Sequence, residues 1–512
     1  MPIPVDFSGR PFHFIGIGGI GMSALAYILT KRKLPVSGSD LRLSHITRRL
    51  QEAGAHIFWQ QEAANLSPFP GVQQASTATS EWTGAISSLA VEQRRTNVTS
   101  DATPQVVCST AIDTRNPEYQ AALDLGCPIL HRSDLLAALI QEYSSIAVAG
   151  THGKTTTISM VGQLLLNAKL DPTIVVGGEV SSWGGNARMG QGPYLVAEAD
   201  ESDGTLAKLR PSIGVVTNIE LDHTDHYQDL EHVVDTFQTF QNQCGLLVAS
   251  ADCNVIRASL SPDVTYSLSS IAGADYHVTD VQFGADGTSA LVWEQGQSLG
   301  LLHLRVLGRH NLSNALAAVA VGRHLGVAFD VITDSLEQFC GARRRFEHRG
   351  SYNGIQFFDD YAHHPSEIRA TLAAARLKAD QSLTTLADSR SSHERRVVAV
   401  FQPHRFSRTA ALLNDFVEAF SDADQVIMAD IYSAGENNTF GVSGRQLADA
   451  VGRSHPRVIY GHTLDDVQAA LAHSLRPGDL VLFMGAGNLN QIIPQVMAYY
   501  AEVEVPSLQE AC

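Results

Sequence analysis

The residues best suited to chemistry lie in one glycine-rich stretch, AVAGTHGKTTTISM, at positions 147–160. The apolar run that leads into it predicts a buried strand, and the apolar residues after it recur at helical spacing. A loop between a strand and a helix N-terminus presents backbone N–H groups to an anion, and the helix dipole adds partial positive charge. In such a loop Lys154 can reach the outer phosphates of ATP and Thr155 can hold Mg²⁺. The predicted ATP-binding residues of the loop are Gly150, Thr151, His152, Gly153, Lys154, Thr155 and Thr156.

One position departs from the common phosphate-loop pattern, G-x-x-x-x-G-K-[ST]. That pattern requires a glycine five residues before Gly153, and Val148 occupies the position. A tighter loop would still let Gly150 and Gly153 bring the backbone close to an anion. The alternative is a glycine-rich turn with a solvated lysine. The order of strand, glycines, Lys-Thr pair and helix favours the phosphate loop.

Acidic residues follow two predicted strands of the same block. The strand Tyr194–Ala197 leads into EADESD, and the next strand, SIGVVTNI, leads into ELDHTDHY. The carboxyl ends of neighbouring parallel strands meet at one edge of a sheet, beside the phosphate loop. Mg²⁺ prefers oxygen ligands, and a neutral imidazole is a further possible metal ligand. Solvated loops are the alternative. Two acidic strand ends in the same part of the chain as the Lys-Thr loop favour a metal site. The candidate ligands are Glu198, Asp200, Glu201, Asp203, Glu220, Asp222, His223, Asp225 and His226.

A second glycine motif lies near the N-terminus, between the predicted strand FHFIGI and the predicted helix MSALAYILT. Its glycines match G-x-G-x-x-G, and Asp40 ends the next strand at about the 20-residue spacing of a dinucleotide fingerprint. Any nucleotide diphosphate can use such a helix N-terminus, so NAD and a sugar nucleotide both fit. A tight strand–helix turn without a ligand is the structural alternative. The predicted sugar-nucleotide residues are Gly16, Gly18, Gly19, Gly21 and Asp40.

The composition is that of an ordinary globular chain of 512 residues, with 44% hydrophobic and 17% charged residues. A formal net charge of −17 argues against nucleic acid as a partner. The six cysteines are scattered without a C-x-x-C pair, so a disulfide framework or a zinc site is not expected. No run approaches the roughly 18 apolar residues of a membrane helix. The first residues lack the features of a signal peptide, which predicts a cytoplasmic protein.

Three blocks of the chain each begin with a strand-like apolar run and then alternate strands with helices. This alternation predicts α/β domains with parallel sheets. Boundaries near Tyr143 and Arg345 divide the chain into domains at residues 1–143, 144–345 and 346–512. Two polar stretches, 73–105 and 378–396, are predicted to be surface insertions in the first and third domains.

Nine motifs, in order along nearly the whole chain, resemble those of the Mur ligase family. They read HFIGIGGIGMSALA, GTHGKTTT, VAEADESDGTL, VVTNIELDHTDHY, LGRHNLSNALAAVAV, GARRRFE, DDYAHHPSEI, VFQPHRFSRT and MGAGNLNQI. The ATP loop of this family is G-T-x-G-K-[ST], so Val148 does not depart from the family pattern. The last motif repeats a strand–glycine–helix arrangement, and we expect it to form a tight turn without a bound phosphate.

The resemblance implies an α/β fold of three domains. These are a Rossmann-like N-terminal domain for the UDP part of a sugar nucleotide, a central P-loop ATPase-type parallel-sheet domain, and a Rossmann-like C-terminal domain that closes over the site. The implied reaction joins the lactyl carboxylate of UDP-N-acetylmuramate to the amine of L-alanine through an acyl phosphate, and converts ATP to ADP and phosphate. This is the first amino-acid addition in peptidoglycan precursor synthesis, which links the chain to cell-wall biogenesis, cell shape, cell division and the cell cycle. The oligomeric state, monomer or homodimer, stays open.

The resemblance also implies roles for individual residues. Lys154, Glu198, His223 and Arg345 match the catalytic positions. Thr155 matches the ligand of one Mg²⁺, and Glu198 and His223 match the ligands of a second Mg²⁺ near the acyl phosphate. The remaining ATP-binding positions are His310, Asn311 and Asn314 on the adenine side and Asp360 at the ribose. A capped helix start is an alternative interpretation of the HNLSN segment, and a basic interdomain linker is an alternative for Arg345.

The motif PHRFSR supplies the predicted L-alanine site, formed by His404, Arg405 and Arg408. Guanidinium groups suit the α-carboxylate of an amino acid because they donate two parallel hydrogen bonds. A tyrosine is common in the family where Phe406 stands, so one hydroxyl contact is absent here. His363 and His364, next to the predicted ribose-binding acid, are open to a packing or helix-capping role.

Three rival functions remain on the sequence alone. A related ligase attaches a recycled tripeptide to the same sugar nucleotide, but it departs from the pattern GIGGIGMSALA. An NAD-dependent oxidoreductase fused to an ATPase would account for both glycine motifs. A nucleotide-gated scaffold without catalysis is the non-enzyme alternative.

Overall fold

The computed structural model describes residues 4–66, 103–270, 273–381 and 395–502. The chain forms two compact units. The first comprises Met1–Ala147, Leu170–Glu198 and Ala207–Ser212, and the second comprises Val148–Lys169, Ala199–Leu206 and Ile213–Cys512. Among the described residues, none of the helices is both long and apolar enough to cross a membrane.

The elements follow the predicted alternation of strands and helices. The N-terminal part contains β1 Phe12–Ile15, α1 Ile20–Lys31, β2 Val36–Ser39, α2 His45–Ala53, β3 His56–Phe58, β4 Gln105–Cys108, α3 Pro117–Asp124, β5 Ile129–His131 and α4 Arg132–Gln141. The middle part contains β6 Ser144–Ala149, α5 Lys154–Asn167, β7 Thr173–Val180, β8 Gly185–Arg188, β9 Tyr194–Glu198, β10 Ile213–Val216, α6 Leu230–Gln241, β11 Leu246–Ser250, α7 Asn254–Ser259, β12 Val264–Ser267, β13 Tyr276–Gly284, β14 Gly287–Glu294, β15 Gln297–Leu304, α8 Arg309–His324 and α9 Phe329–Glu337. The C-terminal part contains β16 Glu347–Tyr352, β17 Ile355–Asp360, α10 Pro365–Gln381, β18 Val397–Phe401, α11 Phe406–Ala411, α12 Leu413–Val417, β19 Gln425–Ala429, α13 Gly444–Val451, β20 Val458–Gly461, α14 Leu464–Ser474, β21 Leu480–Met484 and α15 Ile493–Glu502.

The N-terminal sheet has the strand order β3-β2-β1-β4-β5, and all its described pairings are parallel. The strand order reverses at β1, because the chain continues to β2 on one side and returns to β4 on the other. In open α/β sheets such a reversal opens a crevice at the carboxyl ends of the strands. The first glycine motif follows β1 directly, so it lies where a nucleotide binds in folds of this kind.

The middle part contributes strands to both units. In the first unit β7 pairs with β9 in parallel and with β8 in antiparallel orientation. In the second unit β10, β11, β12 and β13 pair in parallel, each with the next. The β13–β14 and β14–β15 pairs are antiparallel. Helix α5 packs against α8 and α9. A Cβ on Gly322 of α8 would lie 3.0 Å from Leu164 of α5, so a glycine permits this close helix contact.

The C-terminal sheet has the strand order β16-β17-β21-β18-β19-β20, parallel except for the antiparallel edge strand β16. Apolar side chains cover both faces, as expected for a parallel sheet. Phe358 packs with the cluster that contains Phe401, while Phe357 packs with the opposite cluster around Val398 and Val481. This alternation along β17 fixes the register of the strand, because a shift by one residue would exchange the two faces.

The structure describes only the edges of the two predicted insertions. Gln105 begins β4, and residues 378–381 complete α10, so the predicted bounds 73–105 and 378–396 are too wide at these edges. Residues 73–102 and 382–394 lie outside the described residues.

Val148 is a fully buried residue of β6, which runs to Ala149. We therefore expect Val148→Gly to lower the free energy of unfolding by about 2–4 kcal/mol, since it removes a buried Val side chain and places glycine inside a strand. Urea unfolding followed by circular dichroism would measure the change. Val148→Ala is the control that separates the lost packing from the glycine effect, and wild-type stability of Val148→Gly would contradict the analysis.

Candidate active site

The loop between β6 and α5 has the backbone that a phosphate loop requires. Gly150 and Gly153 have φ angles of 131° and 83°, a region that favours glycine. A Cβ on Gly150 would lie 2.0 Å from Thr217 Oγ1, and one on Gly153 would lie 2.5 Å from Asn314 Oδ1. The shortened loop therefore closes tightly between its neighbours, and the position of the missing glycine belongs to the strand.

The two residues that follow β10 hold this loop in place. The backbone N–H of Thr151 donates to Asn218 O at 3.0 Å, and that of His152 donates to Asn218 Oδ1 at 2.8 Å. The Thr217 hydroxyl donates to His152 O at 2.6 Å. Neither Thr217 nor Asn218 was predicted from the sequence. The only signal was their place directly after a buried strand that ends beside the loop.

Lys154 opens α5 and turns back over the loop. Its Nζ donates to Gly150 O at 2.6 Å and forms an ion pair with Glu201 Oε1 at 2.7 Å. Glu201 is almost fully buried, and burial raises its pKa to about 7 although Lys154 opposes that shift. Among the described residues, Glu201 Oε2 has no hydrogen-bond partner. A buried carboxylate oxygen without a partner beside a phosphate-loop lysine suits a cation or a water molecule.

The predicted Mg²⁺ ligands lie in different units. Thr155 is buried in the first turn of α5, and His223 has a φ of 51° directly after Asp222. His223 Nε2 lies 3.9 Å from Glu201 Oε1, and burial lowers the pKa of His223, which favours the neutral form that a metal ligand needs. Glu198 belongs to the first unit, where its Oε2 accepts the Gly177 N–H at 2.8 Å.

A cavity of about 510 Å³ lies beside the loop in the second unit. Its size falls within the usual range for small-molecule sites. Eight of the predicted catalytic and ATP-binding residues line it: His152, Gly153, Thr156, His310, Asn311, Asn314, Arg345 and Asp360. These residues come from four separated stretches of the sequence, and the fold brings them to one cavity.

The HNLSN segment forms the first turn of α8. Gly308 is the N-cap residue of the helix, with a φ of 93°, and no side chain caps the helix there. The Asn and Ser residues of the segment lie inside the helix, so they do not occupy the N-cap position. Asn311 Nδ2 donates to Leu307 O at 2.8 Å, and Asn314 Nδ2 donates to Asn311 Oδ1 at 3.4 Å. Burial lowers the pKa of His310 to about 4, so this imidazole is neutral at physiological pH.

Asp360 ends β17 and organises the backbone around the cavity. Its Oδ2 accepts the Phe346 N–H and its Oδ1 accepts the Ala362 N–H, both at 2.7 Å. Burial raises the pKa of this carboxyl to about 6. Arg345 lies 5.3 Å from the Tyr361 ring centroid, and its Nη1 lies 3.9 Å from Glu367 Oε1. The arginine is therefore part of the cavity wall and not only a linker residue.

The PHRFSR segment carries two arginines with acidic partners. Arg408 is 2% exposed, and its Nε donates to Asp222 Oδ1 at 2.6 Å. Arg405 Nη1 lies 3.0 Å from both Asp225 and Glu436. A carboxylate ligand of Arg405 would compete with these acids. Two of the three residues predicted to bind L-alanine contact each other, because His404 Nδ1 lies 3.1 Å from Arg408 Nη1.

His404 also forms part of a neutral imidazole cluster. Its ring stacks on Tyr432 with centroids 5.8 Å apart. Burial, with the nearby His363 and Arg408, lowers the pKa of His404 to about 3. Burial likewise lowers the pKa of His363 to about 4. Both rings are therefore neutral at neutral pH, and the ring nitrogen that carries no hydrogen can accept a hydrogen bond.

The first glycine motif lies in the first unit and has its own geometry. Gly16 has a φ of 77°, and Gly19 is the N-cap of α1. The Gly18 N–H donates to Asp40 Oδ2 at 2.8 Å, so the predicted acid contacts the loop itself. A Cβ on Gly21 would lie 3.7 Å from Nη1 of Arg132, which brings a cation to the start of α1. No sequence pattern indicated Arg132.

Comparisons with known proteins agree on one family. Family models match three successive segments: the Mur ligase catalytic domain at residues 11–144, the Mur ligase middle domain at 148–322 and the Mur ligase glutamate ligase domain at 344–487. The curated UDP-N-acetylmuramate–L-alanine ligases of Nostoc punctiforme and Trichormus variabilis are each 59% identical to the chain, over 98% of this chain and 99% of each relative. The chain belongs to the Mur ligase family.

Solved structures agree with the family assignment. The crystal structure of the UDP-N-acetylmuramate-alanine ligase MurC of Thermotoga maritima matches with a TM-score of 0.74 and 26% identity, over 96% of this chain and 99% of that one. A murein peptide ligase of Psychrobacter arcticus matches with a TM-score of 0.66 at 22% identity and supports the fold alone. The predicted family and the predicted three-domain α/β architecture are confirmed.

Gly153 provides a test of the loop geometry. We expect Gly153→Ala to weaken ATP binding at least tenfold, because the new Cβ meets Asn314 Oδ1 and the backbone is strained by about 1–2 kcal/mol. Calorimetric titration with a non-hydrolysable ATP analogue would measure the affinity.

Gly326→Ala is the matched control, since Gly326 has a φ of 76° and nothing lies within 4 Å of the added Cβ. The control carries similar backbone strain and should bind the analogue as the wild type does. Equal affinity of the two variants would mean that the contact between the loop and Asn314 does not matter for the nucleotide.

Proposed function

We propose that this chain catalyses the ATP-dependent ligation of L-alanine to the lactyl carboxylate of UDP-N-acetylmuramate. The products are UDP-N-acetylmuramoyl-L-alanine, ADP and phosphate. One observation carries the proposal: relatives that are 59% identical over nearly their whole length bear this activity in their names, and the phosphate loop with its cavity is intact here. This reaction would be the first peptide step of peptidoglycan precursor synthesis, which belongs to the cytoplasm.

The chemistry requires activation of a carboxylate, because its direct leaving group would be oxide. Phosphoryl transfer from ATP gives an acyl phosphate, and the amine then attacks through a tetrahedral oxyanion. Both steps gather negative charge, so preorganised cations stabilise them most. Lys154 and the loop N–H groups would hold the outer phosphates, and Arg345 would face the phosphate or the substrate carboxylate from the cavity wall.

We propose Thr155, Glu198 and His223 as the residues that hold Mg²⁺, which would neutralise phosphate charge. The neutral His223 and the unpartnered Oε2 of Glu201 support a cation near the lysine. Glu201, one of the acidic residues that follow β9, is therefore an additional candidate ligand.

The other ligand assignments extend the same proposal. The loop after β1 would hold the UDP group through Gly16, Gly18, Gly19 and Gly21, with Arg132 as a nearby cation. Asp40 now occupies the Gly18 N–H and would have to share it or move. His404, Arg405 and Arg408 would bind L-alanine, and the domain boundaries would lie near Tyr143 and Arg345.

The ligase proposal predicts that phosphate release from ATP requires both UDP-N-acetylmuramate and L-alanine. A coupled phosphate assay with each substrate omitted in turn would measure this dependence. Equal release without the amino acid would contradict the ligase, and no release with all substrates present would favour a non-catalytic scaffold. Replacing L-alanine by the tripeptide tests the related recycling ligase, and NADH fluorescence tests the oxidoreductase.

Lys154→Ala is expected to lower turnover by several orders of magnitude, because the substitution removes the cation at the outer phosphates. Binding of UDP-N-acetylmuramate should stay near the wild-type level, since the first glycine motif belongs to the other unit. Steady-state kinetics and calorimetry on the same preparation would measure both quantities. Loss of sugar-nucleotide affinity in a folded variant would contradict this separation of roles.

A further inference from the structure

A second group of potential metal ligands lies beside the phosphate loop, apart from the proposed Mg²⁺ ligands. It consists of His152 in the loop, Glu220 after β10 and His364 before α10. One ligand atom from each residue lies within 4.8 Å of the others. All three residues belong to the second unit, and none is assigned to a metal by the family motifs.

The separations between these atoms match those of a coordination shell. His152 Nε2 lies 3.4 Å from Glu220 Oε2, and His364 Nδ1 lies 3.6 Å from the same oxygen. Ligands on a tetrahedral ion with bonds of about 2.0–2.1 Å are roughly 3.3–3.4 Å apart. The donors of His152 and His364 lie within 4.8 Å of each other, so the two rings would move closer together to place all three donors on one ion.

The outward-facing nitrogens of the two histidines already have acceptors. His152 Nδ1 lies 3.2 Å from Glu367 Oε1, and His364 Nε2 lies 3.3 Å from Leu221 O. Carboxylate and carbonyl oxygens only accept, so these ring nitrogens carry hydrogens. Metal-binding histidines characteristically donate their other N–H to a carboxylate or a backbone carbonyl.

An ion at the inward-facing atoms would replace hydrogen bonds that they make now. The Ser366 N–H donates to His364 Nδ1 at 3.2 Å, so this nitrogen carries no hydrogen, and an ion would take the place of that N–H. The Ser366 hydroxyl donates to Glu220 Oε2 at 2.6 Å and orients the carboxylate. On His152, a metal would take the place of a proton between Nε2 and Glu220.

We propose that His152, Glu220 and His364 form a binding site for a zinc-class divalent transition metal. Two imidazoles and one carboxylate suit Zn²⁺, whereas Mg²⁺ prefers oxygen ligands alone. His152 and Glu220 line the cavity, so the proposed site lies at its wall. An ion here ties the phosphate loop to the start of α10, and it withdraws His152 from the nucleotide.

The test uses the untagged full chain, freed of metal with a chelator and then titrated with Zn²⁺ in excess Mg²⁺. The expected result is one Zn²⁺ per chain that Mg²⁺ does not displace. His364→Gln and, separately, Glu220→Gln should each weaken the affinity at least tenfold. His303→Gln, at an exposed histidine of β15, is the control and should bind as the wild type does.

Co²⁺ spectroscopy identifies the ligands. The expected spectrum is that of a tetrahedral nitrogen and oxygen site without a thiolate charge-transfer band. A thiolate band would place the ion on a cysteine and overturn the proposal, as would wild-type affinity in both folded variants. Circular dichroism establishes folding, and the two separate variants keep the test valid if one of them fails to fold. The readout is binding, so it does not depend on the proposed ligase activity.

Discussion

The site depends on the attachment of the shortened phosphate loop to the end of β10. Asn218 accepts from one loop N–H with its carbonyl and from the next with its side chain, and Thr217 donates to the loop carbonyl at His152. Because Gly150 and Gly153 leave no room for a side chain, the loop has one conformation that satisfies these contacts. A loop that is held in place before an anion arrives loses less conformational entropy on binding.

The second organising constraint is the burial of charge. In a chain with a net charge of −17, two cations of the candidate site have acidic partners. Lys154 pairs with Glu201 and Arg408 pairs with Asp222, each in a largely buried position. Breaking such a pair leaves an uncompensated buried charge, so these pairs hold the two cations in place. The neutral histidines around them follow from the same burial.

The chemistry of each contiguous motif could be predicted from the sequence, but the residues that contact each functional side chain could not. The strand, the glycines and the Lys-Thr pair are contiguous, so their order alone predicts a phosphate loop, and the family pattern explains Val148. The sequence indicated Glu201 only as one of several acidic residues that follow β9. Arg132 and Glu367 gave no signal, because each matters through a contact with a residue distant in sequence, and Asn218 was indicated only by its position after a buried strand. The edges of the two insertions were misplaced for a related reason: a polar composition does not mark where a strand or helix ends.

The sequence by itself determined the class of fold, the family and the identity of the phosphate loop, since each of these depends on periodicity or on motifs that are contiguous in the chain. Only the tertiary structure decided which side chains share one environment. It brought eight predicted residues from separate motifs to one cavity, paired the arginines of PHRFSR with acids, and grouped His152 with Glu220 and His364. The physical reason is that burial and pairing set the charge of each of these groups, and both depend on contacts between elements far apart in the sequence.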